Sequence, residues 1–437
     1  MGDAMRVSVI GAGKMGLPLA CVFASRGASV LVADCDSERV SNINDGVCPF
    51  EEPGLEKLMR EMVENGRLRA VTDNGDAITV SEVVVIIVPV KLMEGGRTPD
   101  TSIIESVTND VARSLAPGGL VSYETSLPVG FTRELGELIQ SSVSDFDLVF
   151  SPERVKSRQV LDRLARTPKI VGGVSERSAR RGVAFYERYL GAPVINVGTL
   201  EAAEFVKLAG MLYRDVNIAL ANELARFAEA TSFDFSVIRE AANTDGECQM
   251  LVHGIGVGGH CTPVYPYFLI DGAHRRGVGA TLAESARMIN ESQPAYTLGR
   301  VGDLSGQQVL ILGLSFRPGV KEASYSPAFG LADEVKRLGG RVEVHDPLFS
   351  DDEIRSLGLE PGRIGGQHVL VLNTAHEQYR DLDFHDLAVT GVKVVVDGRN
   401  LWEGEDIRSA GIRYLGVGGP DMSPDPLAAP AEADPAG

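Results

Sequence analysis

The sequence predicts an α/β protein with two doubly wound parallel-sheet domains joined by one long central helix. Three observations predict this class: short β-rich runs alternate with helical segments at the start, helical spacing without proline runs from Leu200 to about Phe233, and the α/β alternation resumes at Gln307. We therefore expect a first domain at 1–199, a central helical region at 200–300, a second sheet domain at 301–419 and a disordered tail at 420–437.

Length and composition limit the possible functions. A chain of 437 residues is too long for one ordinary core. Its net charge of −18 argues against a nucleic-acid or membrane-surface partner, since either would favour a basic face. The five cysteines form an odd set without metal-type spacing, and no signal peptide or long apolar run is present. These features predict a soluble cytoplasmic protein with reduced thiols and no metal site.

The first strand, Arg6 to Ile10, runs into Gly11-Ala-Gly-Lys-Met-Gly16, and a helical pattern from Leu17 to Arg26 follows. A second strand, Ser29 to Ala33, ends at Asp34, 18 residues after Gly16. Although a plain βαβ turn is the alternative, strand, glycine turn, helix and carboxylate in this order are typical of a Rossmann-like dinucleotide site. The glycines let a pyrophosphate approach a helix N-terminus, while the acid accepts hydrogen bonds from a ribose and favours NAD over NADP. The expected NAD-binding residues are Gly11, Gly13, Lys14, Met15, Gly16 and Asp34.

Three further predicted strands, Val83 to Pro89, Leu120 to Tyr123 and Leu148 to Phe150, continue the first sheet. Ligands of such sheets bind beyond the carboxyl ends of the strands. Ser126 and Glu153 follow the second and third of these strands and are candidate site residues. Each alone is more often a cap or turn residue.

The central stretch from Leu200 to about Phe233 predicts one long helix whose surplus apolar surface suggests a dimer contact. Lys207 lies on this helix. A helix lysine is usually solvated, but its apolar neighbours weaken that interpretation. A second helical stretch is predicted from Leu282 to Leu298.

Between these helices, the stretch from Gly254 to Tyr267 is too glycine-rich for a helix or strand and carries Cys261. A lone cysteine is usually core filler. The surrounding glycines and prolines favour a shaped site instead, in which Cys261 would be a nucleophile if neighbours activate it.

The second sheet domain lacks the glycine pattern of the first. Its predicted elements are the strands Val309 to Gly313, Arg341 to His345, Val369 to Leu372 and Val394 to Asp397, with a helix from Ala328 to Leu338. Arg317, Lys321 and Arg399 follow strands and suit a diphosphate, although surface cations are commonly just solvated.

Six blocks of the sequence form a recognisable set. They are Val9-Ile-Gly-Ala-Gly-Lys-Met-Gly-Leu-Pro-Leu19, Phe50-Glu-Glu-Pro-Gly-Leu55, Ser151-Pro-Glu-Arg-Val155, Tyr213-Arg-Asp-Val-Asn-Ile-Ala-Leu-Ala-Asn-Glu223, Gly258-Gly-His-Cys-Thr-Pro263 and Asp397-Gly-Arg-Asn400. Taken together, these blocks resemble the UDP-glucose/GDP-mannose dehydrogenase family. The resemblance covers nearly the whole chain in the family's motif order, and the blocks look most like the branch that acts on UDP-N-acetylhexosamines.

The resemblance implies a homodimer or higher oligomer that oxidises the C6 alcohol of a UDP-sugar to a carboxylate in two steps with two NAD. By position, Cys261 matches the nucleophile that forms a thiohemiacetal and then a thioester, and Glu153 matches the base for water. Lys207 matches the lysine beside the oxyanion, and Ser126 falls where a threonine usually orients water. The expected substrate contacts are Arg154, Val155, Gly256, Gly258, Arg317 and Arg399.

Four positions depart from the family pattern. Tyr265 and Met211 replace an aspartate and an asparagine that usually hold the water and alkoxide, while Glu247 and Ser324 replace arginines. A rearranged site, another substrate and a lost activity are all compatible with these changes, and retention of the cysteine, lysine and glutamate favours the first. A two-electron oxidoreductase and a catalytically silent nucleotide-sugar-binding protein are the alternative functions.

Overall fold

The computed structural model describes residues 4–155 and 158–421. These residues form two compact units. The first unit contains the chain up to Gly210 together with Tyr267–Val278, and the second contains Met211–Pro266 and the chain from Gly279 onward. Of the predicted disordered tail, residues 422–437 lie outside the described part of the chain.

The first unit is built on an eight-stranded sheet in the order β10-β9-β8-β7-β4-β1-β2-β3, and β5 and β6 form a separate antiparallel pair. Neighbouring strands of the large sheet are parallel except β8 and β9, which are antiparallel. The strands are β1 (Arg6–Ile10), β2 (Ser29–Ala33), β3 (Leu68–Val71), β4 (Val83–Ile86), β5 (Lys91–Leu92), β6 (Pro99–Asp100), β7 (Gly119–Tyr123), β8 (Phe146–Phe150), β9 (Lys169–Gly173) and β10 (Val194–Thr199).

Helices alternate with these strands because apolar residues at helical spacing pack on the buried strands. The core of this unit includes Val9, Val32, Leu17, Phe23 and Phe185, all at most 4% exposed. The helices are α1 (Gly16–Ser25), α2 (Ser37–Asn44), α3 (Leu55–Glu64), α4 (Asn74–Thr79), α5 (Ser102–Ser114), α6 (Phe131–Gln140), α7 (Val160–Arg166) and α8 (Glu176–Tyr189).

The predicted central helix is α9, Leu200–Ala230, and the boundary between the two units falls inside it. In the first unit, the buried Glu204 of α9 accepts hydrogen bonds from the backbone N–H groups of Gly130 and Thr132, at 2.6 and 2.9 Å. Burial raises the pKa of Glu204 to about 7. Because Gly130 and Thr132 begin α6, Glu204 caps that helix and fixes the loop between β7 and α6 against α9.

The second unit contains a five-stranded sheet in the order β12-β11-β13-β14-β15, with every neighbouring pair parallel. Its strands are β11 (Gln308–Leu312), β12 (Arg341–His345), β13 (Val369–Leu372), β14 (Val394–Asp397) and β15 (Arg413–Gly416). The later helices are α10 (Phe235–Ala242), α11 (Tyr265–Arg275), α12 (Thr281–Glu291), α13 (Gln293–Gly299), α14 (Pro327–Arg337), α15 (Asp351–Ser356), α16 (Phe384–Val389) and α17 (Gly404–Ser409), with a 3₁₀ turn at Glu377–Tyr379. Of α11, only Tyr265 and Pro266 belong to this unit.

Both faces of the second sheet are buried. Along β11, Val309 and Ile311 join one apolar cluster, whereas Leu310 and Leu312 join another on the opposite face. A strand that buries successive side chains in two clusters lies in the middle layer of a doubly wound sheet. The predicted fold class is therefore confirmed.

Two details differ from the sequence prediction. The antiparallel β8–β9 pair was not expected. The predicted helical stretch from Leu282 to Leu298 is two helices, α12 and α13, that meet at Ser292. Pro294 explains the break, because its ring lacks an N–H donor and is tolerated only in the first turn of a helix, where it lies in α13.

Among the described residues, no helix combines the length and apolar character needed to cross a membrane.

Candidate functional site

The glycine turn after β1 is shaped by close backbone contacts. A Cβ atom added at Gly11, where φ is +105°, would lie 2.5 Å from the carbonyl O of Ile87, and one at Gly16 would lie 1.9 Å from the carbonyl O of Gly11. At Gly13, by contrast, an added Cβ meets no described atom within 4 Å. Gly11 and Gly16 therefore close the turn, while Gly13 leaves backbone that a phosphate group can approach at the start of α1.

Asp34, directly after β2, is buried and faces this turn. Its Oδ2 accepts a hydrogen bond from the backbone N–H of Ala12 at 2.8 Å, and its Oδ1 lies 2.9 Å from Nη1 of Arg39. Lys14 is exposed and Met15 half-buried within the same turn. The residues expected to hold a dinucleotide are thus adjacent, with the carboxylate fixed beside the glycine backbone.

Glu153 lies in the loop after β8 with its two carboxylate oxygens in different surroundings. Oε1 accepts hydrogen bonds from the backbone N–H groups of Arg154 and Val155, at 2.5 and 2.8 Å. Oε2 is buried and has no hydrogen-bond partner among the described residues. One oxygen therefore fixes the side chain, and the other retains its capacity to accept a proton or a hydrogen bond.

Lys207 contacts the same loop. It is 8% exposed, and its Nζ donates a hydrogen bond to the backbone carbonyl O of Glu153 at 2.5 Å. The interpretation of Lys207 as an ordinary solvated helix lysine is therefore wrong. Because an ammonium group offsets negative charge more strongly where water is excluded, Lys207 suits a developing oxyanion near the Glu153 loop.

Ser126 is buried in the loop that follows β7. Its neighbour Thr125 joins this loop to the chain after β4, because the Thr125 hydroxyl accepts from the N–H of Val88 at 3.0 Å and donates to its carbonyl O at 2.8 Å. Ser126 and Glu153 thus follow adjacent parallel strands at the carboxyl edge of the sheet, as predicted.

A buried group that the sequence analysis missed lies beside Glu153. Lys169 Nζ is 2.5 Å from Oε2 of Glu124 and 3.8 Å from Oε2 of Glu153. The Tyr186 hydroxyl donates to Oε1 of Glu124 at 2.7 Å. Burial raises the pKa of the Glu124 carboxyl, and the Lys169 ammonium opposes that rise. Glu124 directly follows a predicted strand, as a site residue should, whereas Lys169 begins a strand that was not predicted.

Arg154 and Val155, expected as substrate contacts, also have partners within the first unit. The Arg154 guanidinium donates to the carbonyl O of Pro168, and burial lowers the pKa of this arginine. Val155 packs against the apolar core. Both residues shape the Glu153 loop, and their contact with a substrate stays a prediction.

In the second unit, the cysteine loop is held by backbone and side-chain hydrogen bonds. The N–H of Ile255 donates to the carbonyl O of Gly398 at 3.1 Å, and the N–H of Gly259 donates to the carbonyl O of Ser324 at 2.9 Å. Cys261 is half-buried at the end of the loop, and its carbonyl O accepts from the N–H of Tyr265, the first residue of α11, at 2.9 Å. The candidate nucleophile is thus placed by a loop fixed on both sides.

The glycines of this loop are required by the packing of the second unit itself. A Cβ atom added at Gly256 would lie 2.9 Å from Cβ of Pro327, and one at Gly258 would lie 2.6 Å from Cβ of Phe316. The sequence analysis gave Gly256 and Gly258 as expected substrate contacts. The structure supplies an intramolecular reason, and their role in substrate binding stays a prediction.

A chain of buried polar side chains connects the cysteine loop to α9 and α12. Asn222 accepts from the N–H of Gly254 at 3.0 Å and donates to Asn290 at 2.9 Å, and Asn290 donates to Asp215 at 2.8 Å. Arg287 completes the chain with an ion pair to Asp215 at 2.7 Å. All four side chains are at most 4% exposed, so their hydrogen bonds specify one position for the start of the loop.

The three predicted cations of the second unit differ in their surroundings. Arg399 is half-buried, donates from Nε to the carbonyl O of Asn373 at 2.6 Å, and has a pKa that burial lowers to about 10. It therefore stays positively charged at neutral pH. Arg317 is half-buried beside the ring of Phe316. Lys321 is exposed and pairs with Glu353 at 2.6 Å, which is an ordinary surface ion pair.

The departures from the family pattern also have defined places. Met211 is half-buried on α9 and Tyr265 is half-buried at the start of α11, whereas Glu247 is exposed. Ser324 acts through its backbone carbonyl, which holds Gly259.

Comparison with known protein families accounts for most of the chain. Residues 5–190 match the NAD binding domain of the UDP-glucose/GDP-mannose dehydrogenase family, residues 201–292 match its central domain, and residues 310–404 match its UDP binding domain. The resemblance inferred from the sequence motifs is thereby confirmed.

Individual relatives extend over nearly the full chain. The UDP-N-acetyl-D-mannosamine dehydrogenase of Pyrococcus horikoshii is 31% identical over 96% of this chain and 100% of its own. The NDP-N-acetyl-D-galactosaminuronic acid dehydrogenase of Ralstonia nicotianae is 32% identical over 93% of this chain and 98% of its own. The solved structure of UDP-D-ManNAc dehydrogenase from Pyrococcus horikoshii has a TM-score of 0.86 at 29% identity and covers 95% of this chain and 99% of that one.

Replacing Asp34 tests its role in cofactor choice. Asp34→Asn keeps an acceptor for the Ala12 N–H but removes the charge that would repel a 2′-phosphate. We expect the parent to have a higher kcat/KM with NAD than with NADP. In Asp34→Asn, the ratio of these two values should fall by about tenfold, equivalent to about 1.4 kcal/mol. Glu38→Gln, an exposed neighbour in α2, is the control. Comparable parent efficiency with both cofactors would contradict the assignment.

Proposed function

The chain belongs to the UDP-glucose/GDP-mannose dehydrogenase family, and we propose that it oxidises the C6 hydroxyl of a UDP-sugar to a carboxylate in two NAD-dependent steps. Membership of this family makes the protein an NAD-dependent UDP-sugar dehydrogenase. We further propose that it transfers four electrons, that it forms a covalent intermediate and that its substrate belongs to the sugar class described below.

The main structural support for the proposal is the hydrogen bonding of the Glu153 carboxylate. A dehydrogenase that stops at the aldehyde has no use for a base that activates water, whereas one that reaches the acid must hydrolyse an acyl intermediate. Glu153 has one oxygen fixed by two backbone N–H groups and a second, buried oxygen without a hydrogen-bond partner among the described residues. A fixed carboxylate with one unused oxygen is suited to accept a proton from water.

NAD, when bound at the glycine turn and Asp34, supplies the hydride acceptor for both oxidations. In the first oxidation, the Lys207 ammonium offsets the negative charge that develops on the C6 oxygen. The Cys261 thiolate then adds to the C6 aldehyde, and the new carbon–sulfur bond gives a thiohemiacetal. Loss of the second hydride from C6, together with the hydroxyl proton, converts this thiohemiacetal to a thioester on Cys261.

Hydrolysis completes the reaction. Oε2 of Glu153 accepts a proton from the attacking water, the carbon–sulfur bond breaks, and Cys261 leaves as a thiolate. Ser126, on the neighbouring loop, orients the water. Each role uses an ordinary chemical property of the side chain. Each residue is matched to its role by its position in the family motifs.

The substrate class we propose is a UDP-N-acetylhexosamine or a UDP-glucose-type sugar. The relatives from Pyrococcus horikoshii and Ralstonia nicotianae are named as dehydrogenases of N-acetylated amino-sugar nucleotides. In the second unit, Arg399 and Arg317 are cations suited to the diphosphate. A two-electron oxidation is the alternative that Tyr265 and Met211 would permit, because residues that usually hold the water and alkoxide are replaced there.

We also propose that the protein is a homodimer through the second-unit part of α9. Tyr213, Leu220 and Phe227 recur every seven residues along this helix, and their side chains are 62%, 49% and 65% exposed. Seven-residue spacing aligns large apolar groups in one stripe, which a second copy of the same helix can cover isologously.

Light scattering tests the dimer. The parent should run at twice the 46.7 kDa chain mass at micromolar concentration, and Leu220→Glu should reduce the mass to that of one chain, because a charge within the covered stripe is costly. Val389→Glu, at an 86% exposed apolar position away from α9, should leave the parent mass unchanged. A parent that runs as a single chain would contradict the proposal.

Glu153→Gln isolates hydrolysis. The thioester should still form, but its hydrolysis should slow by about 100-fold or more because the amide cannot accept the proton of water. A covalent sugar adduct on Cys261 should therefore accumulate and be visible by intact-protein mass spectrometry. Glu201→Gln, which alters a carboxylate paired with Arg133, is the matched control and should show no adduct. Acid formation at the parent rate in Glu153→Gln would rule out this role.

Cys261→Ser separates binding from turnover. The Kd of the UDP-sugar, measured by calorimetry, should stay within about threefold of the parent value, since the substitution changes one atom. Acid formation should fall by at least about 1,000-fold, because a serine hydroxyl is a weaker nucleophile and its alkoxide a poorer leaving group. Acid formation at the parent rate would show that the thioester mechanism is wrong for this protein.

A further inference from the structure

The antiparallel pairing of β8 with β9 brings Lys169, the first residue of β9, close to Glu153, which follows the end of β8 by three residues. The antiparallel register joins Val149 to Gly173 and Phe150 to Gly172. Continued for three more residues, the same register sets Glu153 opposite Lys169. A hydrogen bond between the Ser151 hydroxyl and the carbonyl O of Ile170, at 2.8 Å, supports this continuation.

Two carboxylates face this one ammonium group, and they do not share it equally. Lys169 Nζ lies 2.5 Å from Glu124 but 3.8 Å from Oε2 of Glu153. The first distance is a charge-assisted hydrogen bond and the second is an ion pair without one. The Lys169 and Glu124 side chains are 5% and 0% exposed, so water does not screen the attraction between the ammonium group and the carboxylate.

Tyr186 of α8 strengthens the hold of Glu124 on the lysine. Its hydroxyl donates to Oε1 of Glu124 and is itself within 2.7 Å of the Ser122 hydroxyl. Lys169 Nζ also lies 5.1 Å from the centre of the Tyr186 ring, a favourable cation–π position. Glu124 is therefore fixed at both oxygens, and the ammonium is held on its side of the cluster.

We propose that Glu124 is a positioning residue that holds Lys169 away from Glu153, so that Oε2 of Glu153 stays free to accept a proton from water. If Lys169 instead donated a hydrogen bond to Oε2, it would occupy the oxygen that must receive the proton and would stabilise the carboxylate, which makes it a weaker base. This inference rests on the proposed role of Glu153 as the base and adds the residue that keeps it available.

The other charged groups around Glu153 do not substitute for Glu124. Lys207, from α9, is engaged with the backbone carbonyl of Glu153, and Arg154, on the same loop, donates to the carbonyl of Pro168. Both are cations, so neither can draw Lys169 away from the carboxylate. From β7 and α8, the facing groups are Glu124 and the neutral Tyr186 hydroxyl.

The test compares how the rate of thioester hydrolysis depends on pH, with the adduct followed by intact-protein mass spectrometry. In Glu124→Gln, Lys169 is released toward Glu153, so hydrolysis should slow by about tenfold. The acid limb of the pH–rate profile, where the rate falls as Glu153 is protonated, should move to lower pH by about one unit. In Lys169→Met, Glu153 loses the ammonium group that lies 3.8 Å from its Oε2, and the acid limb should move to higher pH by a similar amount. A merely structural pair would lower both rates without shifting the limb in opposite directions.

The double variant Glu124→Gln/Lys169→Met provides a test that does not depend on the folding of the single variants. A single substitution leaves a buried charge without its partner and can prevent folding, whereas the double variant removes both charges. It should hydrolyse the thioester faster than Glu124→Gln alone. Glu176→Gln removes a carboxylate from an exposed ion pair with Arg180 on α8 and should leave the pH profile at the parent position.

The outcomes separate this inference from the proposed function. If Glu153→Gln accumulates the adduct but Glu124→Gln hydrolyses it at the parent rate and pH, Glu124 has no positioning role and the base assignment stands. If Glu153→Gln itself accumulates no adduct, the proposed function fails first. Opposite shifts in the two single variants, or relief of the defect in the double variant, support the inference.

Discussion

The reversal of strand direction between β8 and β9 is the constraint on which the candidate chemistry of the first unit depends. In a wholly parallel sheet, the first residue of β9 would lie at the edge opposite the strand carboxyl ends. Because β9 runs the other way, Lys169 begins at the edge where β7 ends before Glu124 and β8 ends before Glu153. One antiparallel pair therefore gathers two carboxylates and an ammonium group in a buried cluster, and the hydrogen bonds around them decide which carboxylate remains free.

The second unit shows a different constraint, which is close backbone packing. Four glycines in the six residues from Gly254 to Gly259 allow the cysteine loop to lie against the unit's own side chains, including Pro327 and Phe316. The buried chain from Arg287 to Asn222 then fixes where the loop begins. The position of Cys261 is thus set by contacts within the second unit, which is the kind of placement that the proposed nucleophile requires.

Local patterns in the sequence predicted the glycine turn, Asp34, the central helix and the strand exits that carry Ser126 and Glu153, because each depends on residues close together in the chain. Lys169 and Glu124 were missed as a pair because 45 residues separate them and their contact depends on the direction of an unpredicted strand. The same limit applies to Asn222 and Asn290, which are 68 residues apart. The break between α12 and α13 had a local signal in Pro294, and helical spacing on both sides concealed it.

The proposed four-electron oxidation of a UDP-sugar to the acid is tested most directly by the number of NADH molecules formed for each UDP-sugar consumed. NADH is followed by absorbance and the sugar nucleotide by chromatography. We expect two NADH per sugar and a uronic acid product. One NADH with an aldehyde or ketone product, or no turnover despite binding, would contradict it.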